Sequence, residues 1–207
     1  MKRSKSGKIN ALVRSALAIA ALLAPSLPAL SQDGPLQVIR ESNEEILGLY
    51  ESDPGGPDST VNQQVFDVMD QVTSFTTISD EAIEGLCDPA AGEDCETFKA
   101  VFTELLKVSS VNKLGRYRAD RFDYLREEVE EESATVRTIA HYGEDEIELD
   151  YTLVPLGESW LISNYVVDGV DTIRNYRKQF TRMLRVSSVE TVIERLRNRI
   201  DALEADS

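Results

Sequence analysis

The segment Trp160–Phe180, WLISNYVVDGVDTIRNYRKQF, constrains the fold more than any other stretch of the chain. Its first half alternates as a strand does, and its second half spaces Ile173, Tyr176 and Phe180 along one face of a helix. A strand led by the chain's single tryptophan therefore runs into a helix through Asp168-Gly169-Val170. Gly169 suits the turn because it tolerates backbone angles that other residues avoid.

Upstream of this joint the chain reads as helices and then strands. Pro35 to Ser52 carries Leu36, Val38, Ile39, Ile46, Leu47 and Leu49 and predicts a helix, with Pro35 in its first turn. Asp53-Pro54-Gly55-Gly56-Pro57 breaks it. Ser59 or Thr60 then caps a second helix, in which Val61, Val65, Phe66, Val68, Met69 and Val72 recur at helical spacing. A short helix is predicted over Asp80 to Leu86. A longer one starts near Cys95, with Phe98, Phe102, Leu105, Leu106 and Leu114 on one broad face.

Strands follow at Val136–Tyr142, Ile147–Leu156 and Trp160–Val167, with a fainter one near Tyr124–Val129. If Leu156 pairs with Ser159 across Gly157-Glu158, unbroken alternation puts Leu149, Tyr151 and Leu153 on one face with Trp160, Ile162, Asn164 and Val166. That face is the more apolar and is expected to meet the helices. Tyr165 and Val167 then fall on the opposite face. Beyond the joint, Ile173, Tyr176, Phe180, Met183 and Leu184 form one helical stripe from about Asp171. Val189, Val192, Ile193, Leu196 and Ile200 form another after Ser187-Ser188, with Ser188 as its cap. The order predicts an α+β fold, with helices packed on one face of a curved antiparallel sheet of about four strands.

Residues 1 to 31 read as a secretory signal. Lys2, Arg3, Lys5, Lys8 and Arg14 make a basic start, Ala16 to Ala24 a short apolar run, and Ala29-Leu30-Ser31 a small-residue cleavage site. The apolar run is short and broken by Pro25 and Pro28, which argues against a membrane anchor. Residues 32 to 207 have the length of one domain with a real core. They hold 17 basic and 37 acidic residues, a net charge of −20. That balance argues against nucleic acid and against tight adhesion to anionic lipid. The charge is uneven. Residues 174 to 199 hold eight basic residues against Glu190 and Glu194, whereas residues 127 to 150 hold ten acids and Arg137. A basic helix of this kind faces lipid headgroups or an acidic partner, or pairs with the acidic strands of its own chain.

Cys87 and Cys95 flank the turn-rich segment DPAAGED. In an oxidising compartment such a pair closes as a disulfide, worth roughly 2 to 3 kcal/mol by loop entropy. A zinc site is not supported, because there is no CxxC spacing and His141 is the single histidine. Enzyme signatures are also missing: there is no GxSxG, no Cys/His nucleophile pair and no phosphate-cradling glycine loop. His141 reads as a partly exposed histidine at a strand end. Glu127-Glu128 and Glu130-Glu131-Glu132 read as a solvated acidic run.

Trp160, Ile162, Gly169, Val170, Asn175, Tyr176, Arg177 and Phe180 fall on the pattern W-x-V-x-D-V-x-x-x-G-V-S-x-x-x-N-Y-R-x-x-F, with Val166 one place after its second valine. On these residues the segment resembles the closing motif of the MlaC, or toluene-tolerance, family of periplasmic phospholipid-binding proteins. Asn164 stands for the usual acid and Asp171 for the usual serine. The row Phe98, Phe102, Leu105, Leu106 resembles the family's F-x-x-x-F-x-x-L-L, with Ser110 where an aromatic follows. The family also tends to place a tryptophan where this chain has its cysteine loop. The resemblance is close over 98–114 and 160–180 and loose over 36–86.

The resemblance implies a lipid cavity between helices and sheet, in a fold loosely like that of NTF2, and a carrier without cofactor or metal. On the sheet it points to Leu149, Tyr151, Leu153, Ile162 and Val166 as lining residues. On the helices and the joint it points to Phe98, Phe102, Val170, Ile173 and Phe180. Tyr176 and Arg177 are expected at the mouth or holding the helix on the sheet. The implied ligand is a glycerophospholipid, or a hopanoid-type lipid as in a related branch. The implied partners are an inner-membrane MCE-domain ABC transporter complex and an outer-membrane lipoprotein–porin complex. The implied protein is monomeric and makes transient membrane contact in the periplasm. A module of the same fold that docks partners and holds no lipid is the alternative.

Overall fold

Strands joined by tight turns pair with their sequence neighbours, and the chain follows that rule throughout. In a computed structural model, the described residues are 34–52, 60–87, 93–157 and 159–205. The signal reading of residues 1 to 31 and the breaker at 53–57 lie outside them. The strands are β1 (Arg121–Val129), β2 (Ala134–Tyr142), β3 (Asp145–Leu156), β4 (Ser159–Val167) and β5 (Val170–Asp171). They form one antiparallel sheet in the order β1-β2-β3-β4-β5. The fifth strand is the two-residue return after Asp168-Gly169, too short to show any alternation in sequence. Both turn residues have positive φ, 48° and 75°. That is the twist-matched geometry of a two-residue Asp-Gly hairpin.

Leu156 pairs with Ser159 as the turn requires, but the alternation of β4 is not unbroken. Leu153 pairs with Ile162 and Thr152 with Asn164, so Ser163 is an extra residue, a β-bulge. One inserted residue exchanges the faces beyond it. Tyr151 therefore pairs with Tyr165 and Leu149 with Val167, and these four share the face that meets the helices. Asn164 and Val166 take the other parity. Val166 pairs with Asp150, which forms an ion pair with Arg137 at 3.6 Å.

The helices are α1 (Pro35–Ser52), α2 (Thr60–Val72), α3 (Phe75–Ile83), α4 (Glu93–Arg116), α5 (Thr172–Leu184) and α6 (Val189–Ala205). The start of α1 is tied to the sheet, because the Leu36 amide donates to Glu127 Oε1 at 2.8 Å. A carboxylate at the positive end of a helix is favourable, so Glu127 is a cap and not merely part of a solvated run. The short helix α3 starts five residues before its expected position. Ser74 Oγ accepts from the Thr77 amide at 3.4 Å and caps it. Its Phe75, Ile78 and Ala82 face a common core. It ends before Gly85, whose φ of 70° no helix continues. Ser188 caps α6 as expected, accepting from Thr191 at 3.4 Å.

Side-chain packing divides into three clusters. The largest joins α3, α4, α5 and α6 through Phe75, Ile78, Phe98, Phe102, Phe180 and Leu196. A second joins α1 and α2 through Ile46, Tyr50, Val61, Val65 and Val68. A third presses Ile39 of α1 onto Val136, Leu153 and Ile162 of the sheet. A disulfide between Cys87 and Cys95 ties the segment after α3 to the first turn of α4.

Candidate ligand-binding cavity

Between the second and third clusters the chain leaves space unfilled. A cavity of about 340 Å³ opens there, within the range of roughly 300–1,000 Å³ usual for small-molecule sites. Its floor is the sheet: Phe122 of β1, Ala140 and Tyr142 of β2, Ile147, Leu149 and Tyr151 of β3. Ile162, Tyr165 and Val167 of β4 complete the floor. Its walls are Ile46, Leu47 and Tyr50 of α1, with Met69 of α2 and Thr73 just beyond it. The last two turns of α4 contribute Ser110, Lys113 and Leu114, and Tyr117, Arg118 and Ala119 follow.

Local sequence explains this placement. The stripe Phe98, Phe102, Leu106, Ser110, Leu114, Tyr117 recurs every three or four residues along α4 and its end. Its first half is clamped in the α3–α6 cluster, and its second half overhangs the sheet. Small side chains at Ser110, Ala119 and Ala140 leave the overhang unfilled. Without the bulge at Ser163, Tyr165 and Val167 would turn away from the helices and the floor would lose both.

The lining is apolar with a few placed polar groups. Ser110 Oγ and Tyr165 Oη lie 3.4 Å apart. Tyr50 Oη and Thr73 Oγ1 are buried without a hydrogen-bond partner. Burial raises the pKa values of Tyr50, Tyr151 and Tyr165 above the ordinary tyrosine range, so these phenols stay neutral. Lys113 is exposed at its position on α4. The protein around it still removes enough water to push its pKa below the ordinary lysine range. Half-exposed Tyr117 meets Tyr142 edge-on at 5.9 Å between ring centres.

Of the residues expected to line a cavity, Leu149, Tyr151 and Ile162 do so here. Leu153 lies beside them in the sheet core with no exposed surface. Phe98, Phe102, Tyr176 and Phe180 come together elsewhere, as one aromatic cluster with ring centres 4.7 to 5.0 Å apart along its edge-on contacts. Burial pushes the Tyr176 phenol up to about 12. Ile173 packs on that same cluster. Val170 is 53% exposed at the hairpin, and Val166 is carried to the other face by the bulge. Arg177 donates to the Glu81 carbonyl and pairs with Glu84 at 3.3 Å, so it holds α5 on α3. Sequence reasoning missed the contributions of α1, α2, β1 and β2. The α4 stripe was its one available pointer, since Ser110, Leu114 and Tyr117 continue the row that Phe98 begins.

The remaining polar features lie outside the cavity. His141 is 9% exposed, not partly exposed at a strand end, because the side chains of β1 and β3 close over it. Its Nε2 is 2.9 Å from Asp123 and its Nδ1 3.1 Å from Glu146. Hydrogen bonds from Arg121 and then His141 hold the Asp123 carboxyl below the usual range. The basic residues of α5 do not pair with the acidic strands. Arg174, Lys178, Arg182 and Arg185 are exposed along one side of the helix, and the carboxylate nearest Arg174 is its own cap, Asp171, at 4.0 Å. Among the described residues, no group of three His, Cys, Asp or Glu side chains is placed to hold a metal ion. No helix among them is long and apolar enough to cross a membrane.

Comparison with known proteins bears on this arrangement. No curated protein matches the chain in sequence. A solved structure of the same fold is a phospholipid-binding protein from Ralstonia solanacearum, determined in complex with a phospholipid. It is 18% identical, with a TM-score of 0.64 over 80% of this chain and 96% of that one. The profile of the MlaC protein family matches residues 42–198, and the chain belongs to that family.

Proposed function

We propose that this protein is a periplasmic phospholipid carrier that shuttles lipid between inner and outer membranes as part of an Mla-like ABC transport system. The observation that carries the reading is the open cavity of about 340 Å³ between helices and sheet, apolar over nearly all its lining. Each buried methylene gains about 0.8 kcal/mol, so a sixteen-carbon tail gains on the order of 10 kcal/mol when covered. A soluble carrier needs such a cover, and an apolar cavity walled by three helices over a sheet provides one. Membership of the MlaC family and the lipid-bound relative of the same fold support the same ligand class.

On this reading residues 1 to 31 are a cleaved export signal, and residues 32 to 207 are one lipid-binding domain that acts as a monomer. The ligand is held by Leu149, Tyr151 and Ile162 with Leu47, Met69 and Leu114 across from them. The chain performs no catalysis and uses no cofactor. It meets an MCE-domain transporter complex at the inner membrane and a lipoprotein–porin complex at the outer membrane. The exposed basic row of α5 supports the docking part of the reading.

Native mass spectrometry of protein exported to a periplasm, with lipid extraction alongside, tests it. A stoichiometric phospholipid adduct is expected. A lipid-free mass, in protein that also takes up no lipid from vesicles, sinks the carrier reading and leaves a docking module.

A further inference from the structure

Among the described residues, the charged side chains that line the cavity are Lys113 and Arg118, both cationic. In a chain with 37 acids against 22 bases, a cavity wall of this sign is against the trend. The two other lysines of α4 that bear on packing are each neutralised, Lys99 by Asp80 and Lys107 by Asp70. Lys113 lies on the helix face that carries Ser110, Leu114 and Tyr117, and no carboxylate among the described residues lies within ion-pair distance of it. Cations near a helix C-terminus offset its dipole. That applies to both Lys113 and Arg116 in the last turn of α4, but of the two it is Lys113 that the fold carries to the cavity wall.

A second donor sits at the same end. Tyr50 Oη is buried without an acceptor, and it lies 3.7 Å from where a Cβ on Gly115 would be, hence against the last turns of α4. The Arg118 guanidinium stacks 4.5 Å above the Tyr50 ring, and its Nε donates to the Gly115 carbonyl. The raised pKa values of Tyr50, Tyr151 and Tyr165 keep these phenols neutral, so they add no negative charge to the lining. An ammonium partly stripped of water gains most from an anion beside it.

We propose that the α4 end of the cavity binds the anionic end of the ligand, a phosphodiester or a carboxylate, and that Lys113 is the residue that selects it. This rests on the carrier reading above. The ligand then lies with its charged end beside Lys113 and Tyr50, and its apolar part runs over Leu149 and Ile162 toward Met69. Neutral lipids of the same tail length are discriminated against.

The test uses the full chain, stripped of lipid and incubated with vesicles of equimolar dioleoyl phosphatidylglycerol, phosphatidylethanolamine and diacylglycerol. Bound lipid is counted by mass spectrometry after the protein is re-isolated. Wild type is expected to favour the two phospholipids over diacylglycerol by about tenfold or more, the factor that one charge-assisted contact supplies. Lys113→Met should bring the ratio toward one and Lys113→Arg should restore it, which a merely structural role would not do. Competition with oleate and with inorganic phosphate identifies the source. Displacement by oleate assigns the site to carboxylates, and its failure assigns it to phosphodiesters. An unchanged ratio in Lys113→Met overturns the proposal. Uptake by wild type in proportion to vesicle composition also overturns it but leaves the carrier reading standing. Uptake of no lipid by wild type removes that reading and this inference together.

Discussion

At the residue scale, Lys113 and Ser110 set the character of the cavity. The pKa of Lys113 is lower in the folded chain than in the unfolded one, where it is about 10.4. Between the two values the unfolded chain binds more protons, so stability rises with pH through that window. Below the window the penalty for holding the charged amine is fully present. Lys113→Met therefore raises the thermal midpoint of lipid-free protein at neutral pH, and the gain shrinks as pH approaches the ordinary lysine value. A midpoint that falls, or a gain that grows with pH, contradicts the assignment. Ser110 is 8% exposed and faces Tyr165 across the cavity wall. Ser110→Phe narrows the cavity and removes the contact with Tyr165, at an overpacking cost of about 1–3 kcal/mol. Its extracted lipid should shift to shorter acyl chains. An unchanged chain-length distribution shows that the cavity seen here is not where the tails lie.

At the element scale, the two departures at the strand-to-helix joint explain each other. Asp171 caps α5, its Oδ1 accepting from the Arg174 amide at 2.7 Å. Asn164 donates to Asp171 Oδ2 at 3.1 Å and accepts from the Ile173 amide at 3.4 Å. Where the family pattern has an acid on the strand and a serine at the cap, this chain has an amide on the strand and the acid at the cap. The carboxylate has changed sides of one hydrogen-bonded pair, and an acid at both positions would put two negative charges together. Asp171→Ala should cost about 1 kcal/mol, or roughly 2–4 °C in thermal midpoint. Asn164→Asp should destabilise alone but be relieved in Asn164→Asp/Asp171→Ser, measured as a double-mutant cycle. Additive effects would show that the two residues act independently. The joint itself was legible, because Gly169 and the change of period stand in the sequence. The bulge at Ser163 was not, since an extra residue in a strand has no local signal and follows from packing on both sides of it.

At the scale of the whole molecule, stability and cavity are built by different residues. Phe98, Phe102, Tyr176 and Phe180 interlock α4 and α5 in the largest cluster. Phe180→Ala there should cost about 3–5 kcal/mol in denaturant unfolding. Leu149 lines the cavity, where one side already lacks packing partners, so Leu149→Ala should cost less than the usual 2–5 kcal/mol of a buried leucine. Leu149→Ala should change bound lipid far more than Phe180→Ala does in protein that remains folded. Equal stability losses at the two positions would mean that the cavity is closed and packed in solution. Of the motif residues by which the chain resembles its family, Phe98, Phe102, Leu105, Leu106, Tyr176 and Phe180 gather in the helical core. They specify how the helices seat on the sheet, and the space left over follows.

The order of the helices and of the first four strands, the strand-to-helix joint, the Cys87–Cys95 pairing and the Phe98–Phe102 core face were present in the sequence. Each rests on residues near one another along the chain, where periodicity, capping and turn chemistry act. The face that Tyr165 and Val167 present, the cap that Glu127 gives α1 from 91 residues away and the outline of the cavity were decided only by tertiary structure. A cavity is the volume that α1, α2, α4 and the sheet fail to fill, and no residue encodes it alone. Lys113 reads in sequence as one more lysine on a helix. Only the fold, by carrying it to the wall of an apolar cavity with no carboxylate of the described residues in ion-pair reach, gives its charge a consequence.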